Sequence, residues 1–305
     1  MLTRRAFLAA PLAACQAGGA DESAAPAPPW RAGPRAPYAV QEIYPALHDG
    51  AVWIAGGFSP QALGATDRVI ALDAARAAWV EQPKLPTRSH HVHLASLDGA
   101  LYAIGGFLAG LSGLRWTCTP RVLSLEGARW VEGVNLPKPI GEAAPVAHEG
   151  RVHLIGGRSP LREANGDWDD QGDVDDHFVW TPGAARWERA APLPLARNST
   201  ASASFGGAIH VISGRTVAAG PTGAHHVYDA REDRWRAGPP YPDPRGGLAA
   251  AVLGGRIVCG GGESDASVSD ALYVLGDGGW ERFATLPTPR HGFGLVAAGD
   301  ALYAL

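Results

Sequence analysis

Three ionisable residues share one position in the register of this chain, five residues after a proline. The six equivalent positions hold, in chain order, Glu42, His91, Glu142, Ser199, Gly247 and Gly292. A carboxylate next to an imidazole can transfer protons, because the negative charge stabilises the protonated ring. If the fold brings these positions together, Glu42, His91 and Glu142 are candidate catalytic residues. The alternative is that the three side chains bond one another and only join neighbouring parts of the fold.

Arginines occupy a second shared position, three residues after a proline. Arginine is suited to binding anions, since its guanidinium donates several hydrogen bonds in a fixed plane. The candidate ligand-binding residues are the aligned Arg197, Arg245 and Arg290, their neighbours Arg88, His90, His91 and His291, and Trp116 in the long segment 107–120. The alternative is that these arginines hold adjacent loops in place.

A second long segment, residues 158–176, is rich in aspartate. Asp167, Asp169, Asp173 and Asp175 alternate around a glycine and partly match a calcium-binding loop. Phe178 stands where such a loop has its closing bidentate glutamate. The segment is therefore either a weak calcium candidate or a solvated acidic loop, and we expect no other cofactor.

A repeat organises all of these residues. Six tryptophans are each followed seven residues later by a proline; they are Trp30, Trp79, Trp130, Trp187, Trp235 and Trp280. Further along each of the first five repeats stands a pair of small residues: Gly56-Gly57, Gly105-Gly106, Gly156-Gly157, Ser213-Gly214 and Gly261-Gly262. The runs before these pairs are short, mostly apolar and bounded by turn residues, which predicts buried β-strands.

From Trp30 to Leu305 the chain resembles the kelch family, whose repeats carry a di-glycine after one strand and a spaced aromatic after another. The resemblance implies an all-β fold, a kelch-type β-propeller of about six four-stranded blades. Trp30 then opens the outermost strand of the last blade, so that the N-terminal strand closes the ring. The strand expected between Leu305 and Trp30 is absent, so either the sequence is cut short or the closing blade is incomplete.

The segment at Gly262-Glu263 is similar to a glutamate-bearing loop of periplasmic sialic-acid epimerases, which are also kelch propellers. Glu263 is therefore a fourth candidate catalytic residue. No arginine lies between Glu263 and Glu281, where that family's loop carries one, although Arg245 and Arg290 could serve from neighbouring blades. We expect a propeller that binds an anionic small molecule, a glycan or an acidic peptide segment at one channel mouth. The alternative is a sugar epimerase or mutarotase.

The N-terminus predicts export and lipidation. Residues 1–15 resemble a twin-arginine signal, with Arg4-Arg5 followed by a short apolar stretch and a lipobox that ends in Cys15. Residues 16–29 have the composition of a flexible tether, and residues 30–305 form the propeller. We expect a lipoprotein on the periplasmic side of a bacterial membrane, with Gln16 favouring the outer membrane.

Composition limits the partners. The net charge is −4 and the chain has only two lysines, without a basic cluster, which excludes a phosphate-backbone footprint and makes nucleic acid an unexpected partner. Cys118 and Cys259 fall in different repeats and are expected to be free thiols. We expect a monomer.

Overall fold

The computed structural model describes residues 30–73, 77–109 and 115–305. No α-helix occurs among these residues, and none of their helical turns is long and apolar enough to span a membrane. The predicted signal segment, Cys15 and the tether lie outside the described residues. The rest of the chain is built from short antiparallel strands, as the apolar runs between turn residues predict.

The first two repeats form two blades, each with a small hairpin inserted before its third strand. The first blade comprises β1 (Ala46–His48), β2 (Ala51–Ala55), β3 (Phe58–Ser59), β4 (Gly64–Ala65), β5 (Val69–Asp73) and β6 (Ala78–Gln82), with a 3-10 turn at Pro60–Ala62. The second comprises β7 (Ser89–His90), β8 (His93–Leu97), β9 (Ala100–Ile104), β10 (Phe107–Leu108), β11 (Thr117–Cys118), β12 (Val122–Glu126) and β13 (Arg129–Glu132).

The third and fourth blades follow the same plan. The third comprises β14 (Ala144–His148), β15 (Arg151–Ile155), β16 (Arg158–Pro160), β17 (Gln171–Asp173), β18 (His177–Trp180) and β19 (Glu188–Arg189), with a 3-10 turn at Trp168–Asp170. The fourth comprises β20 (Ala201–Phe205), β21 (Ala208–Ile212), β22 (Arg215–Thr216), β23 (Gly220–Pro221), β24 (His225–Asp229) and β25 (Arg234–Ala237).

The ring ends with one complete blade and one two-stranded sheet. The fifth blade comprises β26 (Ala249–Leu253), β27 (Arg256–Gly260), β28 (Ala271–Gly276) and β29 (Gly279–Thr285), and the sixth sheet comprises β30 (Leu295–Ala298) and β31 (Ala301–Ala304). The innermost strands β1, β8, β14, β20, β26 and β30 each pack on the next, and β30 packs back on β1. The six units therefore close into a ring.

The hydrophobic core lies between the blades. One buried cluster joins Ile104 of the second blade to Leu154 and Phe178 of the third, and similar clusters fill the other interfaces. At the closing interface Val52 and Leu72 of the first blade pack against Val296 of β30. Each blade thus buries both of its faces, which explains why the sequence shows continuous apolar runs in its strands.

The repeated tryptophans join neighbouring blades. Each indole N–H donates to a backbone carbonyl of the preceding repeat, four residues after that repeat's own tryptophan. The bonds run from Trp79 to Pro34, Trp130 to Pro83, Trp187 to Val134, Trp235 to Ala191 and Trp280 to Pro239, at 2.8–3.1 Å. Trp30 takes the sixth place and donates to the carbonyl of Thr285 at 2.8 Å. The N-terminal segment therefore closes the ring, although residues 30–36 form no strand among the described residues.

The backbone at the small-residue pairs adopts positive φ angles and approaches the next blade closely, which requires residues with little or no side chain. In the first pair Gly56 has φ +67° and Gly57 has φ +100°, and a Cβ on Gly56 would lie 2.4 Å from the carbonyl oxygen of Ser89. The amide of Gly57 donates to that same carbonyl, which belongs to the next blade. Glycine allows this close approach, since a side chain would both strain the backbone and clash.

Candidate ligand-binding site

The six aligned positions form a ring at one mouth of the channel. All of them adopt the left-handed conformation, with φ between +50° and +63°: Glu42, His91, Glu142, Ser199, Gly247 and Gly292. Backbone N–H groups donate to the carbonyl of the equivalent residue in the preceding blade; these bonds run from His91 to Glu42, Ser199 to Glu142, Gly247 to Ser199, Gly292 to Gly247 and Glu42 to Gly292. The backbone thus presents these side chains to one common space.

Glu42, His91 and Glu142 hold this conformation although glycine would hold it without strain. A left-handed backbone costs a non-glycine residue about 1–2 kcal/mol. Strain of this kind persists where the surrounding structure over-determines it, often at binding or catalytic sites. The positions with side chains therefore mark a candidate site. Gly292 leaves room for the carboxylate of Glu42, which lies about where a Cβ of residue 292 would be.

Six side chains form a closed network around the mouth, which we call the charge network. Carboxylates alternate in it with histidine and arginine side chains: Glu42, His91, Glu142, Arg215, Glu263 and His291. His91 Nε2 lies 2.9 Å from Glu42 and 3.5 Å from Glu142, His291 Nδ1 lies 3.6 Å from Glu42 and 3.2 Å from Glu263, and Arg215 lies 3.5 Å from Glu142 and 2.8 Å from Glu263. Each carboxylate thus lies between two nitrogen-containing side chains. This alternation keeps three carboxylates close together without direct repulsion.

The inner half of this charge network is buried. Burial by itself would raise the pKa of Glu42, but the adjacent His91, His291 and Arg215 outweigh it and lower that pKa to about 2. Burial opposes the charged form of His91, yet Glu42 and Glu142 prevail and raise its pKa above the usual value. Both carboxylate oxygens of Glu142 are buried without a hydrogen-bond partner, and His91 and Arg215 each lie 3.5 Å from Glu142 Oε1.

The outer half of the network is open to solvent. The side chains of Arg215, Glu263 and His291 are 27%, 30% and 30% exposed. Burial disfavours the charged form of Arg215, but Glu142 and Glu263 raise its pKa above the ordinary value, so the guanidinium stays charged. These three side chains can therefore contact a ligand directly.

Two tryptophans stand beside the charge network. The centre of the Trp116 ring lies 4.7 Å from that of His90 and 5.2 Å from that of Phe107. The guanidinium carbons of Arg158 and Arg215 lie 3.5 Å and 5.9 Å from the centre of the Trp168 ring. Both rings are partly exposed. The mouth thus combines an aromatic wall, formed by Trp116 and Trp168 of the second and third blades, with a charged arm. The charged arm is formed by Arg215, Glu263 and His291 of the fourth to sixth repeats.

The long loops of the second and third blades hold this wall together. Gln171 donates from its side chain to the carbonyl of Trp116 at 2.6 Å, and its own carbonyl accepts from buried Arg158 at 2.7 Å. Asn165 exchanges two hydrogen bonds with the backbone of Cys118. The two loops therefore position Trp116 and Trp168 as one unit.

No protein-family model matches the chain. The Kelch-like protein terF of Aspergillus terreus is 24% identical over 185 residues, which cover 58% of this chain and 39% of that protein. Kelch repeat and BTB domain-containing protein 12 of Danio rerio is 26% identical over 141 residues, covering 46% of this chain and 22% of that protein. The match therefore spans well under half the length of these curated relatives.

The solved structure of YjhT superposes with a TM-score of 0.74 at 17% identity, covering 89% of this chain and 91% of that one. The chain has the fold of a kelch-type β-propeller.

The first arginine of the predicted arc, Arg197, does not line the mouth of the propeller. Arg197 is 0% exposed and donates to the carbonyls of Ser213, Val211, Leu195 and Ala224 at 2.8–3.4 Å. Burial lowers its pKa to about 10. Arg197 is therefore a structural residue, and the prediction that it binds a ligand is wrong, because its guanidinium is buried and bound to these carbonyls.

The remaining arginines differ from one another. Arg245 donates to Asp243, Ser264 and Ser267 and so holds the loop after the fifth small pair, which is the alternative weighed above. Arg88 and Arg290 are exposed, and their carbonyls accept from Ala109 and Gly262. Two of the three aligned arginines, Arg197 and Arg245, are thus bound by their own surroundings, whereas Arg290 stays a predicted ligand-binding residue. The arginine that joins the charge network comes from another register position.

That arginine is Arg215, which sequence reasoning missed. It directly follows the small pair of the fourth repeat, and the equivalent residues are Phe58, Phe107, Arg158, Arg215 and Glu263. Each of these residues pairs with the residue four positions after a proline in its blade, next to the ring. An alignment of the residues after each small pair would have identified Arg215 as a candidate site residue. It would also have identified Arg158, which packs on the Trp168 ring.

Two of the four predicted calcium ligands, Asp167 and Asp173, have other roles. Asp167 caps the 3-10 turn that begins at Trp168, and Asp173 accepts from the Asn198 amide and from the backbone of Val217. Across residues 30–73, 77–109 and 115–305, no group of three His, Cys, Asp or Glu side chains is placed to hold a metal ion. Cys118 and Cys259, predicted as free, are free and buried.

Proposed function

We propose that this propeller binds a carbohydrate, either neutral or carrying one carboxylate, at the mouth defined by the charge network. The observation that supports it is the open arm of Arg215, Glu263 and His291 next to the Trp168 ring. Sugars present an apolar face and an edge of hydroxyl groups. Aromatic rings pack on such a face, while carboxylates and arginine bond the hydroxyls.

The balance of charge favours a hydroxyl-rich ligand over a strongly anionic one. Glu42, Glu142 and Glu263 carry three negative charges, and Arg215 with protonated His91 returns two positive ones. Because Arg197 does not reach the mouth, the cations of the charge network are Arg215 and His91 rather than an arc of arginines. Arg215 alone can hold one carboxylate through charge-assisted bonds of roughly 1.5–3 kcal/mol.

Calorimetric titration with neutral sugars, sugar acids and acidic peptides tests this proposal. Sugars should bind, and Arg215→Gln should weaken a sugar acid by at least about tenfold, or ~1.4 kcal/mol. Arg129→Gln, an exposed arginine on the outer strand β13, is the matched control and should bind like the parent protein. Binding of acidic peptides alone, or equal affinity for Arg215→Gln, would overturn the proposal.

A second candidate is a sugar epimerase or mutarotase, favoured by the position of His291 between two carboxylates. His291 Nδ1 lies 3.6 Å from Glu42 and 3.2 Å from Glu263, so an acid and a base stand on adjacent groups at the exposed edge. One group can remove the proton of the anomeric hydroxyl while the other protonates the ring oxygen, so that the bond between C1 and the ring oxygen breaks; the reverse transfers close the ring on either face. Exchange of anomers, followed by NMR, should then slow at least about a hundredfold in Glu263→Gln. An unchanged rate would leave binding as the function.

The cellular setting belongs to the same proposal. The lipobox at Cys15 and the tether of residues 16–29 would hold the propeller on the periplasmic side of a bacterial membrane, where free sugars and glycans are accessible, with Gln16 favouring the outer membrane.

A further inference from the structure

His90 lies directly behind the charge network and both of its ring nitrogens have partners. Its Nε2 lies 2.6 Å from the carbonyl oxygen of Arg115, and its Nδ1 lies 2.7 Å from Nδ1 of His91. The residue is completely buried. Because no part of its surface is exposed, it cannot itself bind a sugar.

The partners of His90 determine where its proton is. A carbonyl oxygen only accepts, so Nε2 of His90 carries the hydrogen. Burial and the neighbouring His91 lower the pKa of His90 to about 3, which keeps the ring neutral and its Nδ1 an acceptor. The 2.7 Å contact therefore requires His91 to donate from its own Nδ1.

The other side of His91 also requires a donor. Its Nε2 faces Glu42 at 2.9 Å and Glu142 at 3.5 Å, and carboxylates accept. Both nitrogens of His91 must then carry hydrogen, which makes the ring an imidazolium cation. The titratable or charged groups near it are the two carboxylates, neutral His90, His93, Arg215 and Tyr44, whose ring lies 6.2 Å away. The Phe107 and Trp116 rings lie 5.5 and 5.6 Å from it.

The His90 ring is held rigidly in this orientation. It is stacked between Phe58, at 4.1 Å and 25°, and Phe107, at 5.1 Å and 21°. Trp116 meets its edge at 4.7 Å and 88°. A ring sandwiched in this way cannot turn to offer a hydrogen instead of a lone pair.

We infer that His90 is a positioning residue: its neutral ring accepts a hydrogen bond from His91 and so fixes His91 as the doubly protonated cation between Glu42 and Glu142. The same ring bonds Arg115, the residue before Trp116, so the charge of His91 and the position of the aromatic wall depend on one side chain. The consequence for sugar affinity rests on the proposed function, whereas the protonation of His91 does not.

The test is a pH titration of the His91 ring by NMR in the ligand-free protein. His90→Phe keeps an aromatic ring between Phe58 and Phe107 but removes the acceptor, and the midpoint of His91 should fall by at least about half a pH unit. His90→Gln supplies both an amide oxygen and an amide N–H, and should restore most of the shift. The matched control is His153→Phe, which removes a buried histidine from another histidine pair, at 2.8 Å from His177, away from the mouth.

An unchanged His91 midpoint in His90→Phe would overturn the inference, as would an equal fall in His153→Phe or a failure of His90→Gln to restore it. Sugar affinity measured against pH provides the second readout. In the parent protein it should fall as His91 loses its proton, and in His90→Phe this fall should begin at lower pH. If no sugar binds but the His91 midpoint shifts as expected, the proposed function fails and the role of His90 stands.

Discussion

The indole of Trp30 donates a hydrogen bond to the carbonyl of Thr285, 255 residues away, and so joins the two ends of the ring. In every other blade the acceptor lies four residues after the preceding tryptophan, but Thr285 lies five residues after Trp280. The extra residue is accommodated by a bulge in the pairing of β28 with β29, where Leu272 pairs with Ala284 and Tyr273 with Arg282. The closing contact thus keeps its geometry in spite of the changed spacing.

Replacing Trp30 by alanine, or deleting residues 30–36, should destabilise the whole ring. Trp30 packs against the core between the fifth and sixth sheets, and losing it should lower the free energy of unfolding by on the order of 3 kcal/mol. Urea unfolding measures this loss. Trp30→Phe keeps the ring contact and should cost about 1 kcal/mol for the hydrogen bond. If deletion of residues 30–36 leaves the transition unchanged, the segment does not close the ring.

Arg197→Met should destabilise the fold without affecting the ligand site. Four carbonyls that accept from the guanidinium would be left without this donor, at a total cost of at least about 3 kcal/mol. At a temperature where the variant is folded, sugar affinity should equal that of the parent protein. A variant of normal stability with weakened binding would restore the arginine arc as a ligand site.

Buried histidine pairs should make the propeller sensitive to acid. Burial lowers the pKa of His153 to about 3 and those of His177, His210 and His225 to about 4, so the folded state stays neutral where the unfolded chain takes up protons. Stability is therefore fully present above about pH 6.5 and falls as the pH drops toward 4, by about 1.4 kcal/mol per pH unit for each such histidine.

Urea unfolding at pH 7.5, 6 and 5 measures this slope. The variant His210→Phe removes one member of the pair with His225, which lies at 2.9 Å, and should reduce the slope relative to the parent protein. An unfolding free energy that stays constant between pH 7 and 5 would contradict the prediction.

Cys15→Ser should release the protein from the membrane. The lipobox that ends in Cys15 provides the only lipidation site proposed for the chain, and acyl chains on that residue give stable anchoring. The parent protein should sediment with membranes and the variant should be found in the soluble fraction. Gln16→Asn, which keeps the cysteine, is the control and should remain in the pellet.

Several features of the fold could be predicted from the sequence because each repeat encodes them locally. The glycine pairs mark the backbone turns with positive φ, the tryptophan-to-proline spacing marks the interface segments, and the apolar runs mark the inner strands. The positions of Glu42, His91 and Glu142 could be aligned for the same reason. Each lies at a constant distance from a proline within its own repeat.

Only the tertiary structure decided which side chains meet. Arg197 and Ser199 are two residues apart and would share a face in a regular strand, but the left-handed conformation at Ser199 turns the chain between them and leaves Arg197 buried. Arg215 reaches Glu142 and Glu263 because radial packing places residues of different blades around one channel, which local spacing does not reveal. The contacts of Trp116 with Gln171, and of Trp30 with Thr285, likewise join segments 55 and 255 residues apart. Local conformation follows from neighbouring residues, whereas contacts over such separations depend on closure of the whole ring.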